Sequence, residues 1–339
     1  MTAPLAPYPR GASPARELAL ALAATADRPV ELTVLGLRSV DQSASHRIEE
    51  LEVRLDDGRE LHVFAKDLSD GGLLPDARLA RAGHLSHPWR EIVVYRELLD
   101  PAGGGAGYLG AYVEDGGAPA WLFLERVAGL PLTEVGAIGV WGAAAAELAR
   151  LHAAGMAAVR PCRDWTVHLV RGDDAGRARA LVRAVAALER GGRAAEGRTL
   201  RAAHERAAAR LAAVPVGVTH GDCYPANVLV RDGGSAAPVI VDWEDAGIGP
   251  VLLDVAALTS GARTDAQRSA IADAYRRAAC SLGFAPPTWS DPVEFEAGLA
   301  ACRYFVCVEH LGAPVRWSPP EGQRHDWLRD ACATVDVLV

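Results

Sequence analysis

A chain of 339 residues, half of them hydrophobic and 23% charged, has ample apolar material for a packed interior and too much length for one ordinary core. Disorder is excluded, and two domains or a two-lobed unit are expected. The surplus of 43 acidic over 35 basic residues, a net charge of −8, argues against nucleic acid or an anionic membrane as partner and leaves room for a cationic or polyhydroxylated ligand.

Taken in chain order, the run "ELALALAA" is short, carries Glu17 and lacks a basic leader. It predicts an opening helix capped by Ser13 with Pro14 at its first position, not a signal-peptide core. Residues 31–68 then read as three antiparallel strands, "ELTVLGLRSV", "RIEELEVRL" and "RELHVFAKDL". The first two are joined by the polar loop "DQSASH", the last two by a tight turn at Asp57-Gly58. "HPWREIVVYRELLD" (87–100) has helical spacing and ends at Pro101. "PAWLFLERVAG" (119–129) is a continuous apolar strand. From Thr133 the character changes to long Ala-rich helices, near 136–153, 174–190, 196–213, 264–282 and 292–311. The shift places a lobe boundary near 127–131, with residues 1–126 as one lobe and 127–339 as the other. No other segment reaches the roughly 20 uninterrupted apolar residues that span a bilayer. Six cysteines (Cys162, Cys223, Cys280, Cys302, Cys307 and Cys332) form no CxxC pair, so they read as reduced thiols in a cytoplasmic protein, without a zinc or disulfide framework.

Two stretches carry chemistry: "VGVTHGDCYPANVLV" (216–230) and "PVIVDWEDAGIGPVLLDVAAL" (238–258). Short apolar strands in both hold the polar residues at strand ends. Asp222 and Asn227 lie five residues apart in one loop, and Asp242 follows fifteen residues later. Two carboxylates and an amide oxygen are hard ligands suited to Mg²⁺. One more residue stands out, because Lys66 is the only lysine among the 35 cationic side chains and the remaining 34 are arginine.

The pattern H-G-D-x-x-x-x-N, then a strand and D-W-E, resembles the aminoglycoside phosphotransferase and choline kinase family, a branch of the protein-kinase-like fold. That resemblance implies an α+β bilobal architecture, with an antiparallel-sheet nucleotide lobe and a mainly helical acceptor lobe. It implies transfer of the γ-phosphoryl group of ATP, or of GTP, to a hydroxyl of a small molecule: an aminoglycoside-like antibiotic, a sugar or an amino alcohol. Asp222 then orients the hydroxyl and accepts its proton, while Asn227 and Asp242 hold Mg²⁺. His220 and Asp254 support the loop, and Trp243 packs beneath it. Lys66 meets the α and β phosphates, held by a carboxylate of the next helix. Glu91 and Glu97 sit about 240° apart on that helix, so only one can face the lysine, and the family pattern favours Glu91. Glu125 to Val127 correspond to the hinge whose backbone pairs with adenine.

Where relatives with a glycine-rich loop would cover the phosphates, this chain has "SVDQSASHR", leaving backbone amides and the hydroxyls of Ser43 and Ser45. Acidic residues of the helical lobe, Glu294, Glu296, Glu309 and Asp326, are candidates for lining a pocket for a cationic acceptor. A kinase that modifies Ser or Thr of a peptide in natural-product biosynthesis, and a non-catalytic pseudokinase, are the alternatives. No nucleic-acid or membrane partner is expected, and the chain is expected as a monomer or homodimer, with antibiotic resistance among its possible roles.

Overall fold

The computed structural model describes residues 14–40, 45–75, 77, 87–114, 116–159, 163–233, 238–261, 263–313 and 325–338. The chain is mixed α and β, and its contacts divide it into two compact units. The first comprises Met1–Ile92 and Ala106–Val127, the second Val93–Gly105 and Ala128–Val339. The segment 93–105, which sequence order would assign to the first lobe, thus goes with the second.

The first unit holds one antiparallel sheet in the order β1-β2-β3-β5-β4, with β1 at Leu32–Ser39, β2 at Ile48–Leu55, β3 at Glu60–Asp67, β4 at Tyr108–Val113 and β5 at Pro119–Glu125. The β2–β3 hairpin turns where Gly58 takes φ +85°, a conformation glycine adopts without steric penalty. Period-two alternation puts Leu51, Val53 and Leu55 of β2 and Val63 and Ala65 of β3 on one face, with Trp121 and Phe123 of β5. Helix α1 (Pro14–Ala26) covers that face through Leu18 and Ala21. Full burial of a side chain such as Leu18 contributes roughly 2 kcal/mol. β5 is apolar up to its last residue, Glu125, because it runs between β3 and β4 and six of its seven residues are buried.

Strand β4 occupies a stretch in which the sequence shows no element. Its pairing with β5 shifts register twice, and Gly110 sits at one of the shifts with φ +143°, so the glycine at that irregularity also dilutes the strand's apolar pattern. The helix expected over 87–100 is α-helical only at α2 (Trp89–Val94) and widens into a π-turn over Tyr95–Leu99. There the Asp100 N–H reaches back five residues to the Tyr95 carbonyl, just before Pro101, which has no N–H to continue the ladder.

The second unit is built on helices α3 (Ile138–Val159), α4 (Asp174–Arg190), α5 (Ala194–Ala212), α6 (Leu252–Leu258), α7 (Asp265–Ser281), α8 (Pro292–Leu311) and α9 (Trp327–Leu338). Their caps follow local chemistry: Thr264 and Gln267 form a capping box at α7, and Asp291 accepts from the Val293 N–H at α8. Short strands connect them. β6 (Gly129–Pro131) joins β9 (Val228–Arg231) and β10 (Val239–Ile240), while β7 (Val170–Arg171) and β8 (Val216–Thr219) flank β11 (Gly247–Pro250). No helix among the described residues is long and apolar enough to cross a membrane.

Candidate active site

In the first unit, β3 delivers Lys66 to the sheet face opposite Val63 and Ala65. Its Nζ stands 2.8 Å from Glu91 Oε2, with the two side chains 7% and 3% exposed. Glu97 pairs instead with Arg96 at the surface. Ser43 lies outside the described residues. Ser45 is buried, and its carbonyl accepts from the Leu74 N–H at 2.8 Å. At the end of β5, the Glu125 N–H donates to the Gly107 carbonyl and the Arg126 N–H to the His62 carbonyl, both at 2.8 Å, and Val127 is buried.

In the second unit, β8 ends at Thr219 and the loop His220–Asn227 follows. Asp254, on α6, fastens it: its carboxylate accepts from the His220 N–H at 2.6 Å and the Gly221 N–H at 3.0 Å. The turn requires glycine at 221, since φ is +85° and a Cβ there would lie 2.2 Å from the Asp245 carbonyl oxygen. The His220 ring is buried, with Nε2 2.8 Å from the Val241 carbonyl oxygen and Nδ1 accepting from the Asp222 N–H at 3.1 Å. Trp243, fully buried, lies under that ring at 4.6 Å and donates to the Ile240 carbonyl.

The Asn227 amide nitrogen donates to both the carbonyl and the carboxylate of Asp222, each at 2.9 Å. Both amide protons are thereby used, which leaves the Asn227 carbonyl oxygen as a neutral hard donor. Asp242 takes φ +67°, left-handed for a non-glycine residue, and the strain turns the chain from β10 into the turn Trp243–Asp245. Burial pushes the Asp222 carboxyl up to about 8, helped by the charges of Asp245, Asp242 and, less, Glu244, against the Asn227 hydrogen bond. Four carboxylates drawn together with one amide oxygen are a donor set that fits Mg²⁺, because a divalent cation relieves the repulsion that raises Asp222.

Two residues outside the motif complete this arrangement, and neither is singled out by the sequence pattern. His152 of α3 is fully buried, with Nε2 2.9 Å from Asp254 Oδ2 and Nδ1 2.7 Å from the Tyr275 hydroxyl of α7. Burial alone would raise the Asp254 carboxyl, but the hydrogen bond and charge of His152, with His220, hold it below the usual range. A histidine inside the largely apolar "LARLHAAG" is the one signal the sequence offers for this brace.

Cys223 is buried and its thiol is pushed well up by burial, which makes it an inert packing residue. The acidic residues expected to line a cationic acceptor pocket are engaged elsewhere: Glu294 with Arg210, Glu296 with Arg303, Glu309 with Arg183, and Asp326 with the Arg329 N–H. Three of the four are thus paired with arginine side chains of the helical unit.

A family model described as the phosphotransferase enzyme family matches residues 49–291. No curated protein sequence matches the chain. Among solved structures, a microcompartment-associated aminopropanol kinase is 15% identical with a TM-score of 0.55, covering 89% of this chain and 90% of that one. Choline kinase LicA from Streptococcus pneumoniae is 15% identical with a TM-score of 0.50, covering 90% and 93%. The GDP complex of aminoglycoside 2'-phosphotransferase-IIIa is 11% identical with a TM-score of 0.50, covering 90% and 93%. At these identities the likeness is one of fold.

Proposed function

We propose that this chain, which belongs to the phosphotransferase enzyme family, moves the γ-phosphoryl group of ATP to a hydroxyl group of a small molecule. The observation that carries the reading is the loop His220–Asn227, whose backbone is pinned by Asp254 and whose Asp222 carboxylate is oriented by Asn227. A carboxylate held in that way can orient an incoming hydroxyl and take its proton as the new oxygen–phosphorus bond forms and the bond to the ADP leaving group breaks. Asn227 and Asp242 are the residues that would hold Mg²⁺, which when bound neutralises charge on the transferring phosphates. Lys66, fixed by Glu91, binds the α and β phosphates as a compact cation, and the segment at Val127 receives the base.

The test uses the full chain with Mg²⁺, ATP or GTP, and a panel of sugars, amino alcohols, aminoglycosides and Ser/Thr peptides. Acceptor-dependent ADP or GDP formation that Asp222→Asn abolishes supports the reading. Nucleotide binding without acceptor-dependent turnover, identical in wild type and Asp222→Asn, would overturn it in favour of a binding module.

A further inference from the structure

Arg263 is unusual among the cations of the second unit. Its guanidinium carbon lies over the Trp141 ring, 3.3 Å from the centroid, and the residue is half-buried. Its Nε is buried without a hydrogen-bond partner, and among the described residues no carboxylate pairs with it. The neighbouring Arg268 is spent: it lies 2.7 Å from the Asp330 carboxylate, which His325 Nε2 also meets at 3.0 Å. A guanidinium with one face on an indole keeps its N–H edge for an in-plane partner, and that planar fork matches a carboxylate or phosphate. Leaving such a cation half-buried without a counter-ion among the described residues is costly, which makes this position suited to a bound anion.

The contacts around Arg263 form a circuit that begins and ends on the catalytic loop. Tyr224, two residues after Asp222, hydrogen-bonds His310, whose ring stacks on Trp327 at 3.9 Å. Trp327 meets His325 edge to face, and His325 accepts from the Gly261 N–H at 2.9 Å. Two residues on is Arg263, and under it Trp141 donates to the Val135 carbonyl at 2.7 Å. Val135 closes the turn Leu132–Glu134, which packs against Pro225–Asn227 of the catalytic loop.

We infer that Arg263 recognises an anionic group on the acceptor, so that the natural acceptor carries a carboxylate or phosphate as well as the hydroxyl that is phosphorylated. This rests on the phosphotransferase reading. It departs from the cationic acceptors that overall charge suggests, three of whose four candidate carboxylates are paired with arginines.

Matched acceptors test it: ethanolamine against serine, and D-glucose against D-glucuronate and D-glucose 6-phosphate, with kcat/KM and calorimetric binding measured for each. The expected result is at least a tenfold preference for the anionic member, which Arg263→Gln brings close to one and Arg263→Lys, keeping charge but not the fork, only partly reduces. The carboxylate and phosphate arms separate the two sources of charge. Transfer to the neutral or cationic members alone overturns the inference and leaves the kinase reading standing. The inference also falls if Arg263→Gln lowers the unfolding temperature without moving the preference, since Arg263 is then a clamp on Trp141. Anions that bind in an Arg263-dependent way yet receive no phosphoryl group retain the anion site and overturn the kinase reading; neither binding nor transfer overturns both.

Discussion

The two units carry their functional residues in different ways. In the first, one ion pair between Lys66 and Glu91 joins a strand to the next helix, and each partner is a side chain whose position follows from local periodicity. In the second, the functional groups sit on an irregular loop that Asp254 holds by its backbone N–H groups, while His152 and Tyr275, from two distant helices, hold Asp254. Rigid strands and helices position a residue through register. A loop has no register, so it needs buried polar partners, and each must be satisfied for the others to be worth burying.

That contrast can be broken at several points. Asp222→Asn removes the proposed base and is expected to lower kcat by on the order of a thousandfold, about 4 kcal/mol of transition-state stabilisation, in steady-state assays with an acceptor that supports turnover. His152→Ala leaves the Asp254 carboxylate buried with fewer partners and should destabilise the protein by about 3 kcal/mol, read as a shift in the denaturant midpoint. Asp222 is raised from the ordinary aspartate value to about 8, so the native state holds its proton where the unfolded chain has lost it. Metal-free protein should therefore lose stability as pH rises from about 4 to 8, and Asp222→Asn should flatten the slope and gain on the order of 1–3 kcal/mol at pH 8. A melting temperature equally pH-dependent in both proteins would contradict this assignment.

In the first unit, Lys66→Arg preserves charge but replaces a compact ammonium with a wide fork. Turnover is expected to fall at least about tenfold, roughly 1.4 kcal/mol, with near-wild-type activity marking the lone lysine as an accident of codon usage. The smallest effect is expected from Tyr275→Phe, which removes one hydrogen bond from the outer end of the brace and should cost about 1 kcal/mol in stability. If Tyr275→Phe and His152→Ala proved equally costly, the brace would be a packing feature and not a graded polar chain.

Much of the architecture is legible in the sequence. The hairpin at Gly58, the alternation in β2 and β3 and the long helices of the second unit are written in short-range spacing, which local sterics and burial enforce. Strand β4 is not, because Gly110 and the two register shifts of a bulged edge break the alternation. The loop motif is legible as a pattern of residue types from His220 to Asn227. Its brace is not, since a histidine in an alanine-rich helix carries no mark of which carboxylate, 102 residues away, it will meet.

By itself, then, the sequence determined the strand and helix spacing, the polar groups gathered in residues 220–242, and the singular Lys66. Tertiary structure alone decided that Asp254 binds main-chain N–H groups, that Glu294, Glu296 and Glu309 pair with arginines, and that Arg263 is left on Trp141 without a carboxylate among the described residues. The reason is that spacing specifies a residue's face over one or two turns, whereas most of these polar pairings depend on which elements burial brings together from distant parts of the chain.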